Sequence, residues 1–444
     1  MNAEATARTD WKQAARQMLS DTLAAANIGL ALAKKVVRSG SRIRIADAEF
    51  DLAGYRRIVG IAFGKAAFAM AAGLSDLLAP DFRAEGILVV PTIPPRSLAG
   101  WQTFIGGHPV PTAQSFAAAR AILQTLGSCG LETLVFFLLS GGGSALVELP
   151  LDARVSLEDF QQLHRLLVTC GASIGEINAI RKHLSATKGG RLAAAAPLAT
   201  KITLGVSDVP EGEESALASG PTLPDPTTIA DAERIAREHK IIGEFPPALR
   251  EMFERHALIE TPKSGDAAFG RAHFSLLLGV HDLTHNAHRA AEAHGCVTIC
   301  DNSTDNWPVE KAADFLLAQL EILHRANPER PVAVIADGEV SSLVTGDGTG
   351  GRNSAFVLAC AAKILGKRVT VLSAGTDGID GNSPAAGAVA DGSTIARAKE
   401  AGLDAADFFR RSDSYSFFKK LGDEIETGPT GNNLRDLRIL IHEA

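Results

Sequence analysis

Cysteine is scarce in this chain: five residues in 444, Cys129, Cys170, Cys296, Cys300 and Cys360, an odd number mostly flanked by apolar neighbours. That count excludes a disulfide scaffold, and Cys296 and Cys300 are not followed by a second ligand pair, which argues against a structural zinc site. No apolar run is long enough to cross a bilayer, since residues 23–33 are interrupted by Asn27 and end at Lys34. The opening Met1 to Arg16 is polar, with Glu4 and Asp10, unlike a signal peptide. These absences place the expected site of action in the cytoplasm. There is no basic excess either: the net charge of -7 excludes the cationic face of a nucleic-acid binder, and the pairs Lys34-Lys35 and Arg410-Arg411 read as solvated helix ends. The phosphate loop G-x-x-x-x-G-K-[ST] and the protein-kinase signatures are both missing.

What is present is a chain of 444 residues, 46% hydrophobic and 21% charged, too long for one ordinary core. Residues 11–37 have the spacing of one or two helices. A theme then repeats: a short apolar run, a glycine-rich turn, and an amphipathic or Ala-rich segment. Residues 58–63 lead into Gly64-Lys65 and 66–78, residues 134–139 into Ser140-Gly141-Gly142-Gly143-Ser144, and residues 201–206 into Ser207-Asp208. Residues 157–174 and 176–196 read as helices, the second stopped by Pro197. The stretch 259–266, with Thr261, Pro262, Ser264 and Gly265, reads as a linker, giving domains at 1–262 and 263–444. Beyond it, strands at 273–280, 296–300, 331–336, 369–373 and 437–441 accompany helices at 284–294, 309–325 and 354–365. Buried strands alternating with helices predict an open, doubly wound α/β sheet, with ligands at the carboxyl ends of the strands.

The chemistry-bearing residues fall at those ends. Three glycines in the 140–144 loop let backbone N–H groups converge on a phosphate or carboxylate. Lys65 opens a helix, where a cation opposes the helix dipole unless an anion compensates it. Gly346-Asp-Gly-Thr-Gly350-Gly351 matches G-x-G-x-x-G, and Arg352 with Asn353 follows at a helix start, suited to stabilising a transferring phosphoryl group. Asp208, Asp337, Glu339, Asp377 and Asp380 lie near strand ends, where carboxylates hold Mg²⁺ through waters or cap turns. His108 either contacts substrate or braces its loop. Arg181, Lys182, His183 and Lys188 either line an acid-binding pocket or form a solvated face.

In this order the loops resemble those of the glycerate 2-kinase family, whose C-terminal half is called the MOFRL domain and some of whose members carry the older label hydroxypyruvate reductase. The resemblance rests on Gly64-Lys65-Ala66, Gly107-His108-Pro109-Val110-Pro111, Ser140 to Leu146, Asn178 to Ser185 with Lys188 to Leu192, Ser207-Asp208-Val209-Pro210, and Ala218 to Thr228. It continues with Gly350-Gly351-Arg352-Asn353, Gly375-Thr376-Asp377-Gly378, Ala385-Ala386-Gly387 and Thr427 to Gly431. It implies a Rossmann-like, doubly wound N-terminal domain plus a second α/β MOFRL domain, and phosphorylation of the 2-hydroxyl of D-glycerate or a close small hydroxy acid. ATP and Mg²⁺ are the implied cofactors, and association into a homodimer is left open. Lys65 and Arg352 take the essential catalytic positions. Phosphate or substrate binding falls on His108, the 140–144 loop, Gly350, Gly351 and Asn353, and metal binding on Asp208 and Asp377. The chain departs from the family where Ser354-Ala355 replace Gln-Glu, where Asn382-Ser383-Pro384 replace Pro-Thr-Asp, at His281, and at Glu211-Gly212. Two other readings remain at this stage: an NAD(P)H-dependent hydroxypyruvate reductase, drawn from the glycine match, and a ligand-binding relative that has lost activity.

Overall fold

Arg57–Phe63, Thr133–Ser140 and Thr200–Val206 are buried along almost their whole length, as expected of strands covered on both faces. The computed structural model containing them describes residues 9–209, 212–432 and 434–444. The start of the polar opening segment, and Pro210 and Glu211 of the Ser207 loop, lie outside the described residues.

The chain forms two units: Ile28–Gly279, and a second made of the residues up to Asn27 together with Val280–Ala444. The first is built on a six-stranded sheet, entirely parallel, in the order Trp101–Ile105, Glu85–Val90, Arg57–Phe63, Thr133–Ser140, Thr200–Val206, Ala272–Leu278. Counted along the chain this is 3-2-1-4-5-6, the order of dinucleotide-binding doubly wound sheets. The direction of winding reverses between Arg57–Phe63 and Thr133–Ser140, so the loops after these two strands flank the crevice. Helices Ala113–Gly127 and Arg191–Ala194 contribute to the apolar core on one face. A separate helical core joins Leu157–Thr169, Ile174–Leu184, Ile229–Glu238 and Pro247–Glu254 through Phe160, Ile180, Ile235 and Phe253.

The second unit has a mixed sheet in the order Val297–Cys300, Val332–Asp337, Asp436–His442, Val369–Gly375, Gly387–Asp391, Glu424–Ile425, in which only the first pair is parallel. Helices Val309–Ala326 and Arg352–Lys363 bury Leu316, Leu320, Phe356 and Val357 in its core.

Five expectations are corrected. The division falls after residue 279 rather than 262, because Ala272–Leu278 adds to the edge of the first sheet beside Thr200–Val206. The expected linker lies inside the first unit, where Thr261 is buried and its hydroxyl donates to Asp225. Helix Trp11–Ala25 belongs with the second unit: Lys12 pairs with Asp423 at 2.7 Å, and Arg16 donates to the Glu424 carbonyl at 2.8 Å. The helix expected over 176–196 starts with a capping box at Ser173 and ends at Leu184. Ser185 is extended, and Gly189 and Gly190 turn the chain with φ of 56° and 81°. Residues 36–51, partly assigned to a helix, form an antiparallel meander of Val36–Ser39, Arg42–Ile45 and Ala48–Asp51. The alternation Arg42-Ile43-Arg44-Ile45, with the isoleucines buried, carried that signal.

Candidate active site

At the switch point of the first sheet, the Lys65 amide donates to the Gly141 carbonyl at 3.0 Å and the Ala66 amide to the Ser140 hydroxyl at 3.0 Å. The two loops are thereby one unit of structure. Gly142 has φ of 80°, and a Cβ there would stand 2.9 Å from His108 Nε2 and 3.4 Å from Lys65 Cγ. Lys65, His108 and the 140–144 loop, expected on separate grounds, are therefore neighbours. Lys65 is half-buried, and a four-residue helical turn, Gly143–Leu146, follows the loop. His108 is carried by a segment whose Gly107 amide is held by the Ser115 hydroxyl at 3.0 Å. Asp208 is half-buried at the carboxyl end of Thr200–Val206, two strands from Lys65 in the same sheet.

The underside of the loop is a buried polar network. The Ser144 and Ser219 hydroxyls meet at 2.8 Å, and Ser219 also donates to Asn178 Oδ1 at 3.1 Å. Ala218 and Ser219 hold left-handed backbone, φ 49° and 62°, strain of the kind that collects at binding sites. Lys188 Nζ donates to the Ser144 carbonyl at 2.6 Å and pairs with Glu148 at 3.0 Å. Glu148 is fully buried. Burial alone would raise its pKa, but Lys188, His164 and Ser185 together hold it below the ordinary range. The basic stretch is therefore no solvated face. Arg181, Lys182, His183 and Lys188 are 7%, 4%, 0% and 1% exposed. Lys188 is on no helix; the break after Leu184 is what lets it reach back to the loop.

In the second unit a cleft of about 1020 Å³ is lined by Glu339, Gly350, Gly351, Arg352, Asn353, Asp377 and Asp380, among others. Arg352 is gripped from two sides: Nε and Nη2 donate to Asp436 at 2.6 and 3.2 Å, and Nη1 to Glu339 at 2.7 Å. Burial works against its charge, yet the two carboxylates raise its pKa further. Buried Asp380 caps the helix that Arg352 opens, accepting from the amides of Asn353 and Ser354 at 2.9 Å each. Asn353 points its Oδ1 at the Ser373 hydroxyl, 2.6 Å away, so it orients the helix start from the sheet side. The Gly350 amide donates to Asn382 Oδ1 at 2.8 Å. Asp377 is half-buried and accepts from the Ile379 amide at 3.0 Å.

Asp337 is wholly buried; among the described residues neither carboxylate oxygen is hydrogen-bonded, and desolvation pushes its pKa up against the opposing charge of Arg435, 3.7 Å away. Arg438, also wholly buried, donates to the carbonyls of Asp337 and Gly338, fixing the turn that presents Glu339 to Arg352. Asp436, Arg438 and Glu148 were not found from the sequence. Their partners lie tens of residues away, and only the sheet register places Arg438 between Ala336 and Ser373.

The G-x-G-x-x-G match is not a dinucleotide fingerprint. No regular strand runs over 340–345, and Gly346 and Gly348 instead pack against the backbone of Arg411 and Asp413. Of the departures, Ala355 and Asn382 line the cleft. Ser354 is 2% exposed, bonded to Asp380 at 2.6 Å and Ser414 at 2.7 Å, so it belongs to the helix cap rather than the cleft wall. Ser383 is buried against the Asp380 carbonyl, and His281 is exposed on helix Val280–Ala293. Asp208 and Asp377 fall in different units. Among the described residues no group of three or more His, Cys, Asp or Glu side chains is arranged to hold a metal.

Fold and site define a two-unit α/β protein with a lysine and a glycine loop at the switch point of a doubly wound sheet, and an arginine-headed helix in a second, mixed-sheet unit. Comparison with known proteins narrows this. A model described as "Domain of unknown function (DUF4147)" matches residues 14–254, and one described as "MOFRL family" matches residues 332–436. A glycerate 2-kinase from Pyrococcus horikoshii is 33% identical over 435 residues, 97% of each chain. A D-glycerate 2-kinase from Thermotoga maritima is 35% identical, over 86% of this chain and 90% of its own. An Agrobacterium vitis protein with a provisional hydroxypyruvate reductase name is 36% identical, over 87% of each. The crystal structure of a Thermotoga maritima glycerate kinase aligns with a TM-score of 0.83 at 32% identity, covering 97% of this chain and 99% of that one. The chain belongs to the glycerate 2-kinase family.

Proposed function

We propose that the protein is a cytoplasmic glycerate 2-kinase that transfers the γ-phosphoryl group of ATP to the 2-hydroxyl of D-glycerate or a close small hydroxy acid. The observation that carries this reading is the junction of Lys65 with the 140–144 loop and His108 at the switch point, in a chain that matches glycerate 2-kinases along nearly its whole length. Phosphoryl transfer needs positioning and charge stabilisation more than covalent chemistry. Backbone amides of the glycine loop and the Lys65 ammonium offer both to an anion. Arg352, its plane fixed by Asp436 and Glu339, offers a rigid cation to an anion in its cleft.

Mg²⁺ suits the donor set, which is carboxylate oxygen, and it is a cation that binds through few protein ligands alongside phosphates and waters. Asp377 in the cleft of the second unit, or Asp208 at the strand end in the first, is the residue that would hold it. The ion would neutralise phosphate charge. Retention of both Lys65 and Arg352 speaks for an active enzyme over a ligand-binding relative, and the placement of the 346–351 glycines gives the reductase reading no support.

The test is a coupled ATP-consumption assay across small hydroxy acids, with NADH oxidation followed in parallel. ATP-dependent turnover of a hydroxy acid is expected, together with a rise in Tm from ATP and Mg²⁺ that NADH at equal concentration does not give. Stabilisation by NADH and not by ATP would make the phosphoryl-transfer reading wrong.

A further inference from the structure

Helix Ile174–Leu184 and the segment after it carry four basic side chains, and three meet a carboxylate: Lys182 with Asp225 at 3.1 Å, His183 with Glu260 at 2.9 Å, and Lys188 with Glu148 at 3.0 Å. Arg181 has no such ion pair among the described residues. It is 7% exposed, its Nη2 meets His164 Nδ1 at 3.2 Å, and its buried Nε has no hydrogen-bond partner among the described residues. Burial works against its charge, and the opposite charge that supports it from a distance is Glu148, whose carboxylate is already held by Lys188 and Ser185.

His164 does not balance the count. It takes no negative charge, and burial pushes its pKa down, so near pH 7 the imidazole is neutral. With Nδ1 facing the Arg181 donor, its proton sits on Nε2, which faces Glu148 at 4.0 Å. The buried group of Arg181, Lys188, Glu148 and His164 therefore holds two positive charges against one negative. A cation withdrawn from water without a counter-charge is costly, and such an arrangement at a site calls for an anion from outside.

The group lies against the glycine loop. Asn178 is one turn before Arg181 on the same helix face and is joined through Ser219 to Ser144, while Lys188 holds the Ser144 carbonyl. We propose that Arg181 is the receptor for the carboxylate of the acceptor acid and thereby determines that the enzyme phosphorylates small hydroxy acids rather than neutral polyols. This rests on the kinase reading and names the group that selects its acceptor. The planar guanidinium fork matches a carboxylate with two parallel bonds, and His164 fixes the plane of the fork from behind. Lysine would supply the charge without that geometry.

The experiment compares the wild-type chain with Arg181→Met and Arg181→Lys, using D-glycerate, its amide glyceramide, and glycerol as acceptors. Arg181→Met should raise the KM for D-glycerate by about ten- to a hundredfold, the scale of a lost charge-assisted pair, with the KM for ATP changed less than about twofold. Its preference for the acid over the amide should collapse, and Arg181→Lys should recover part of it. If Arg181→Met does not fold, Arg181→Lys carries the same comparison. An unchanged KM for D-glycerate in a folded variant would overturn the proposal and leave the kinase reading standing, as would a loss confined to ATP. A second readout is independent of turnover: D-glycerate without nucleotide should raise the Tm of the wild type and not of Arg181→Met. That result would uphold the carboxylate site even if no acceptor were phosphorylated. Protection by inorganic phosphate and not by D-glycerate would overturn it.

Discussion

The two units present a cation beside glycines in opposite ways. In the first, the place is set by topology: a parallel sheet reverses its winding, and the loops that follow the two central strands meet, with Lys65 and Gly141 bonded through the backbone. In the second, the sheet is mixed and offers no such crevice. There Arg352 is placed by side chains, with Asp380 capping its helix, Asn382 tying down Gly350, and Asp436 and Glu339 gripping the guanidinium. A position made by backbone topology tolerates loss of its side chain. A position made by a network of charges does not.

The sharpest way to break this comparison is to remove both cations. Lys65→Ala and Arg352→Ala should each lower turnover by at least about a hundredfold, as when a charge partner of the transition state is lost. Their stabilities should differ. Lys65→Ala should melt near the wild type, whereas Arg352→Ala leaves the buried Asp436 carboxylate without its main partner and should cost about 1–3 kcal/mol by denaturant unfolding. Equal melting of the two variants would erase the distinction.

A smaller effect separates the two glycine loops. Gly142→Val forces a β-branched residue to φ of 80° and drives a side chain toward His108, so ligand affinity should fall more than stability does. Gly348→Ala places its Cβ 2.5 Å from Asp413 Cβ and 2.7 Å from the Arg411 carbonyl, so unfolding should come at lower denaturant with ligand affinity less changed. Paired measurements of Kd and Tm decide whether the losses divide in this way.

The smallest expected effect is one of pH. In the first unit Glu148, Asp225 and Glu260 have pKa values held below the ordinary carboxylate range, Glu260 at about 2 by Lys263 and His183 against the cost of burial. Their stabilising contribution is present above the ordinary pKa and is lost as pH falls toward the folded value. In the second unit burial pushes Asp337 and Asp380 up. These two take up protons in the folded state first, so mild acidification should strengthen the structure around them. Amide exchange, corrected for its intrinsic pH dependence, should show helix Arg352–Lys363 gaining protection relative to Ile174–Leu184 as pH falls from 7 to about 5. The reverse trend would show that Asp337 and Asp380 are not in a setting opposed to that of Glu148, Asp225 and Glu260.

The same contrast explains what the sequence disclosed. Strands such as Arg57–Phe63 and Val332–Asp337, and the loops at their ends, were legible because continuous apolar runs and glycine clusters are local signals. Lys65, the 140–144 loop and Arg352 were read from them. The meander at 36–51 was half hidden by the helical run before it. Lys182, His183 and Lys188 were left open between a pocket and a solvated face, because their burial depends on Asp225, Glu260 and Glu148, far along the chain. Asp436 was invisible for the same reason: nothing at strand Asp436–His442 announces that its first residue holds an arginine 84 positions earlier. The domain boundary was missed because strand Ala272–Leu278 follows a Pro- and Gly-containing stretch yet completes the preceding sheet.

Helix Trp11–Ala25 has a consequence for how the protein is made. During synthesis it leaves the ribosome ahead of everything else described, and Ile28–Gly279 is an uninterrupted segment able to condense as it emerges. The strands and helix against which Ala15, Met18 and Leu19 are buried come from Val280 onward, and the strand Asp436–His442 appears after every other element described. The helix must therefore wait with its apolar stripe uncovered while the whole of the first unit is translated. Ribosome-bound chains stopped near residue 279 would carry that stripe exposed, available to any holdase that reads short apolar helices, and the need for it would end only when the final strand closes the second sheet.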